Sequence, residues 1–144
     1  MALCAGLASA TASAWAHSSS NSYLSLTQRN ADLVLRADIH LRDLDLIFDL
    51  DQNRDGQVSW GETAARTDEL QTWLQQGLAV RGATQACALR PIDVQASQHA
   101  DGYYLSAEWT LACPDPQDVS GQRLRLRYEL LFSQDNLHRG LLKV

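Results

Sequence analysis

A chain of 144 residues, 45% hydrophobic and 20% charged, has room for one domain with a real core and is too apolar to stay disordered. Seventeen acidic residues against 12 basic ones leave a net charge of −5, which argues against nucleic acid as the main partner. No apolar run is long enough to span a bilayer as a helix, and no Gly-rich phosphate loop, CxxC pair or GxSxG is present.

Met1 to Ala16 carries no charge and ends in Ala14-Trp15-Ala16, an A-x-A cleavage pattern followed by polar residues. Residues 1–16 therefore read as the back half of a secretory signal peptide, and residues 17–144 as the mature domain. Cleavage removes Cys4 and leaves Cys87 and Cys113, 26 residues apart. An even pair in an exported chain implies a disulfide, worth about 3.5 kcal/mol in the chain-entropy model.

Tyr23 to Thr27 reads as a short strand. From Leu33 to Leu41, apolar residues alternate with Arg36, Asp38 and His40, the period-two pattern of a strand with one wet face. The period then changes, with Leu44, Ile47 and Phe48 on one face of a short helix. After a polar stretch, Ser59 and Glu62 have the spacing of a capping box. Leu70, Trp73, Leu74, Gly77 and Leu78 continue at helical spacing, and Gly82 marks the end of this second helix. The remainder reads as strands: Ile92 to Ala96, Tyr103 to Cys113 and Leu124 to Phe132 all alternate. Asp101-Gly102 signals a hairpin, and Pro114-Asp115-Pro116 breaks the pattern before the last strand. The expected fold is α+β: a mainly antiparallel β-sandwich-like domain with one helix-loop-helix inserted at about residues 42–80.

Asp51 to Glu62 matches the EF-hand loop pattern D-x-[DN]-x-[DN]-G-x5-E at every fixed position. Asp51, Asn53 and Asp55 stand at positions 1, 3 and 5, and Gly56 occupies the sharp turn at position 6. Gln57 offers its backbone carbonyl, Ser59 takes position 9, and Glu62 is the expected bidentate ligand at position 12. These donors are all oxygen, as Ca²⁺ requires; the loop holds no sulfur or imidazole for zinc or copper. A polar turn followed by a helix cap explains Ser59 and Glu62 but not Asn53, Asp55 and Gly56 together. Met1 is the only methionine, so opening onto a Met-rich groove is not expected.

Other candidates carry less. His17 would become the N-terminal residue on cleavage, where an α-amine and imidazole can chelate Cu²⁺ or Ni²⁺; His40, His99 and His138 show no ligand spacing. Arg123, Arg125 and Arg127 share one strand face, which reads as a solvated face paired with acids, or else as a contact for an anionic partner or lipid headgroup. Asp93 and Glu108 on neighbouring strands form no required acid/base pair, and no nucleophilic constellation can be drawn.

Arg42-Asp43-Leu44-Asp45-Leu46 leading into the loop, then Val58-Ser59-Trp60-Gly61-Glu62, carry a resemblance to a known family. So do Ser22 to Leu26, Leu131-Phe132 and His138 to Leu142. Together they resemble bacterial exported proteins encoded beside, or fused to, membrane proteins of the hydrogenase/urease accessory (HupE/UreJ-like) type. The resemblance implies a periplasmic or secreted, non-catalytic EF-hand domain with a membrane-protein partner of that type. The family's metal transport belongs to its membrane part, so nickel is not carried over to this chain.

Overall fold

The computed structural model describes residues 20–114 and 123–144. The expected signal peptide, Cys4, His17 and most of the turn after Pro114 lie outside the described residues.

Strands β1 (Asn21–Arg29) and β2 (Asp32–His40) form an antiparallel hairpin with Leu24 opposite Ala37 and Leu26 opposite Leu35. The alternation read in β2 buries Leu33, Leu35, Ala37 and Ile39, but the face expected to be wet is covered as well, with Val34 and Asp38 buried. Helix α1 (Leu41–Phe48) follows directly. His40 caps it, its Nδ1 accepting the Arg42 N–H at 3.1 Å, and Asp49, left-handed at φ 49°, ends it. Leu44 is fully buried.

The expected second helix is two helices and a strand. Helix α2 (Trp60–Ala64) is one turn long, α3 spans Thr67–Gly77, and β3 spans Leu78–Arg81. Arg66 breaks the helix at φ −116°, ψ 14°, and its guanidinium donates to the Phe48 carbonyl at 3.1 Å, tying the end of α1 to the start of α3. At the other end, a methyl on Gly77 would lie 2.0 Å from Leu130 Cδ2. That close packing marks the point where the chain leaves the helix. Leu78 is extended at φ −119°, ψ 134°, and Leu78 and Val80 turn inward at period two.

Strands β4 (Ala86–His99) and β5 (Gly102–Ala112) form the long hairpin. His99 pairs with Gly102, so the turn residues are Ala100 and Asp101, one position earlier than the Asp-Gly signal suggests. Gly102 sits at φ 150°, and a Cβ there would lie 2.5 Å from His40 Nε2. A glycine is needed because His40 packs against the hairpin tip. A bulge between Pro91 and Asp93 leaves Ile92 unpaired and about half exposed, out of the expected alternation. Cys87 and Cys113 form a disulfide joining β4 to the residue after β5.

The last expected strand, Leu124 to Phe132, is shorter than its pattern. Strand β6 covers only Arg125–Tyr128, because Leu130 and Leu131 are consecutive buried residues and Leu131 adopts φ 69°. Strand β7 (Arg139–Lys143) pairs parallel with β1, Leu142 opposite Leu24. The sheet runs β6-β3-β4-β5-β2-β1-β7, and every other pairing in it is antiparallel. Its two edges curl toward each other. The Tyr128 hydroxyl on β6 lies 2.7 Å from His138 Nε2, and the Tyr128 ring would contact any side chain at Gly140. The core inside this nearly closed sheet gathers Leu35, Ile39, Leu105 and Trp109 with Leu44, Leu50, Leu70 and Leu74 from the helical insert. Each fully buried leucine contributes roughly 1.5–3 kcal/mol, which fixes the insert on the sheet.

Candidate metal centre

The loop between α1 and α2 is anchored at its start. Leu50 is fully buried beside it, and the Asp51 N–H donates to Asp45 Oδ1 at 2.9 Å. Beyond Leu50 the loop residues other than Gly56 and Val58 are polar and mostly exposed, so the loop's shape comes largely from side-chain-to-backbone hydrogen bonds, with Val58 packed against the core. Asp51 accepts from the Asp55 N–H at 3.1 Å through one carboxylate oxygen and from the Gly56 N–H at 2.8 Å through the other. Asn53 Oδ1 accepts from the Asp55 N–H at 2.8 Å, and Asp55 Oδ1 from the Gln57 N–H at 2.9 Å. Gly56 turns the chain at φ 82°, the left-handed region expected at position 6.

Glu62 closes the loop. Its Oε1 accepts from the N–H groups of Gln52 and Asn53 at 3.0 and 3.3 Å, and its Oε2 from the Ser59 N–H at 2.9 Å. Ser59 Oγ donates to Oε2 at 2.7 Å and accepts from the Glu62 N–H at 3.3 Å, completing the capping box read in the sequence. The Ser59 hydroxyl, then the backbone N–H groups of Ser59, Asn53 and Gln52, hold the Glu62 carboxyl below its ordinary pKa of 4.5.

The six expected ligand residues are thus gathered in one loop, with position 12 drawn back over positions 2 and 3. Their donor chemistry fits a hard divalent cation: Asp51, Asp55 and Glu62 supply three carboxylates, and Asn53, Gln57 and Ser59 supply neutral oxygens. The carboxylates are turned onto backbone N–H groups. Among the described residues no group of three or more His, Cys, Asp or Glu side chains is drawn close enough to form a metal cluster. The Asp51 oxygens and Asp55 Oδ1 accept one bond apiece and retain a second lone pair, whereas each Glu62 oxygen already accepts two bonds and would have to exchange some of them for an ion.

The described histidines are committed elsewhere. His40 caps α1, and His99 Nε2 lies 2.9 Å from the buried Asp38 carboxylate with its ring stacked on Tyr23. His138 belongs to a buried chain of polar groups that the sequence pattern did not reveal. Ser20 Oγ donates to Asp43 Oδ2 at 2.6 Å and lies 2.6 Å from His138 Nδ1, while His138 Nε2 lies 2.7 Å from the Tyr128 hydroxyl. Ser20 has a single proton and spends it on Asp43, so His138 Nδ1 donates to Ser20 and Nε2 accepts from Tyr128. Ser20, Asp43 and His138 are each at least 94% buried. This chain pins the start of β1, helix α1 and the start of β7 together; its members are up to 118 residues apart, beyond any local signal. Burial pushes the Tyr128 hydroxyl up to about 12 and pulls His138 below its usual value, against the opposing pull of Asp43 and Asp135.

Asp93 and Glu108 are cross-strand partners, as their place on neighbouring strands suggested. Glu108 is claimed by Arg29, whose two terminal nitrogens reach its oxygens at 3.0 and 3.2 Å. Of the arginine stripe, Arg127 pairs with Glu129 at 3.0 Å. Comparison with protein-family models, curated proteins and solved structures finds no match for this chain.

Proposed function

We propose that this chain is a non-catalytic, exported calcium-binding module, in which Asp51, Asn53, Asp55, Gln57, Ser59 and Glu62 hold one Ca²⁺ ion. The observation that carries this reading is the closed 51–62 loop. Side chains at positions 1, 3 and 5 are bonded to the backbone around a left-handed Gly56, and position 12 reaches back to the loop's first residues. Bound calcium would supply two positive charges to a loop whose three carboxylates otherwise repel one another.

The reading has a structural consequence. The loop leads from α1, whose Leu44 is buried in the core, to the capped α2, and Arg66 ties α3 back to Phe48. An ion in the loop would therefore stiffen the helical insert against the sheet, which we take to pack sandwich-like around the shared core. A signal peptide over residues 1–16 and a disulfide both suit the oxidising bacterial periplasm. A partner role beside a HupE/UreJ-like membrane protein is part of this proposal and rests on the resemblance alone.

The experiment is thermal unfolding of residues 17–144 in EDTA, then with Ca²⁺, Mg²⁺, Cu²⁺ and Ni²⁺ added singly. A native-state ligand raises the midpoint by mass action. The proposal expects a clear rise with Ca²⁺. A rise with Cu²⁺ or Ni²⁺ and none with Ca²⁺ would overturn it and move the metal to His17.

A further inference from the structure

The charge of this chain is segregated. Residues 41–77 hold eight acids and three bases, so this segment alone carries −5 and the rest of the chain is balanced at nine of each. Within that balanced remainder, one part of the sheet's outer face is strongly basic. Val80, Leu126 and Cys87 point to the core, so their strand neighbours point outward. Arg125 and Arg127 on β6, Arg81 on β3 and Arg90 on β4 then share one exposed face across three adjacent strands.

Two features set this face apart from an ordinary solvated one. Arg81 and Arg125 are direct cross-strand partners, and opposed like charges destabilise a strand pair. Among the described residues neither they nor Arg90 form an ion pair; Glu129, on Arg127, is the single acid that does so on this face. Between the arginines the side chains are short: Ala79 stands opposite Arg127, and Ala86 opposite Arg81. A cleft of about 430 Å³ opens at the rim, beside Arg123, Leu124 and Arg125.

We infer that this face docks on the anionic phospholipid surface of a membrane. Guanidinium groups pair phosphate oxygens in bidentate fashion. The arginines are spread over strands about 4.8 Å apart, rather than gathered around a pocket, which suits a plane of charge better than a discrete ligand. Among the described residues no aromatic side chain stands between them to stack a nucleic-acid base. The acidic helical segment lies on other elements, so the chain would approach the bilayer with its arginine face first. This inference is independent of the calcium reading.

The test is co-sedimentation with phosphatidylcholine vesicles and with phosphatidylcholine:phosphatidylglycerol vesicles, at low and high salt, in one calcium-containing buffer. The chain is expected to bind only the anionic vesicles and to be released by salt. Arg81→Gln/Arg125→Gln should weaken binding about 25-fold, at about fivefold per arginine, while melting no lower than the wild type because opposed charges are removed. Arg29→Gln/Arg139→Gln, which removes the same charge outside this face and outside the 51–62 loop, should bind as the wild type does. Calcium bridging between the acidic loop and headgroups would survive the first substitution, and that result would overturn the inference. So would binding to soluble polyglutamate as tight as to anionic vesicles, which would assign the face to an acidic polypeptide.

Discussion

Gly77 is the sharpest steric test of how the helical insert joins the sheet. It is the last residue of α3, and a methyl placed there would lie 2.0 Å from Leu130 Cδ2 and 2.7 Å from Leu130 Cγ. Leu130 is 3% exposed and packed in the core, so it has little room to retreat. Overpacking of this kind costs about 1–3 kcal/mol, and better helix propensity returns at most about 1 kcal/mol. Gly77→Ala should therefore lose about 1–2 kcal/mol in urea denaturation with the disulfide intact, and lower the thermal midpoint by about 4–8 °C. Leu130→Ala alone should lose about 2–5 kcal/mol to the cavity it leaves. In Gly77→Ala/Leu130→Ala the new methyl enters that cavity, so the double variant should be more stable than the two losses predict, by about 0.5–3 kcal/mol. Gly77→Ala at or above wild-type stability, together with strict additivity in the double variant, would refute the packing argument.

Two further predictions concern the network and the bridge. His138 is held neutral in the fold by burial, while the unfolded chain takes up a proton near pH 6.5. Stability should be full above that pH and fall as the solution is acidified below it, since the unfolded state binds more protons there. His138→Gln should flatten this part of the pH–stability curve; an unchanged slope would assign the acid sensitivity to other groups. Replacing Cys87 and Cys113 together by serine should lower stability by about 3.5 kcal/mol through the looser unfolded chain, and a loss well under 1 kcal/mol in equilibrium unfolding would contradict that account.

How much of this could be read from the sequence follows from how local each cause is. Strand β2 and helix α1 were legible because the switch from period two to period 3.6 occurs within a few residues; that β2 is covered on both faces was not, because Val34 and Asp38 are buried by residues distant in sequence. The capping box at Ser59 and Glu62 was legible for the same reason, being a contact between residues three apart. The break at Arg66 and the end of α3 at Gly77 were not, because they are imposed by Phe48 and Leu130, which are distant in sequence. Leu78 fits the helical spacing and the strand alternation equally well, and only the presence of β6 decides between them. Strand β7 was hidden because its five residues are all exposed and show no alternation; what orders it is the parallel pairing with β1.

The candidate site divides the same way. Its ligand spacing is wholly local, so the six oxygen donors and the Gly56 turn could be placed before any fold was known. The anchoring of the loop through Asp45 to Asp51, and the packing of His40 against the Gly102 turn behind it, depend on where the β4–β5 hairpin folds back. The chain from Tyr128 through His138 and Ser20 to Asp43 joins four elements of the fold and leaves no mark on any one of them.

The central claim is that the 51–62 loop binds calcium through Glu62 and its neighbours. The most direct measurement is isothermal titration of EDTA-stripped, dialysed residues 17–144 with Ca²⁺, beside the Glu62→Gln variant. The account predicts one site per chain with a dissociation constant on the order of 10⁻⁴ to 10⁻³ M or tighter, weakened at least tenfold in Glu62→Gln. A flat titration of the wild type, or a variant that binds as the wild type does, would contradict it.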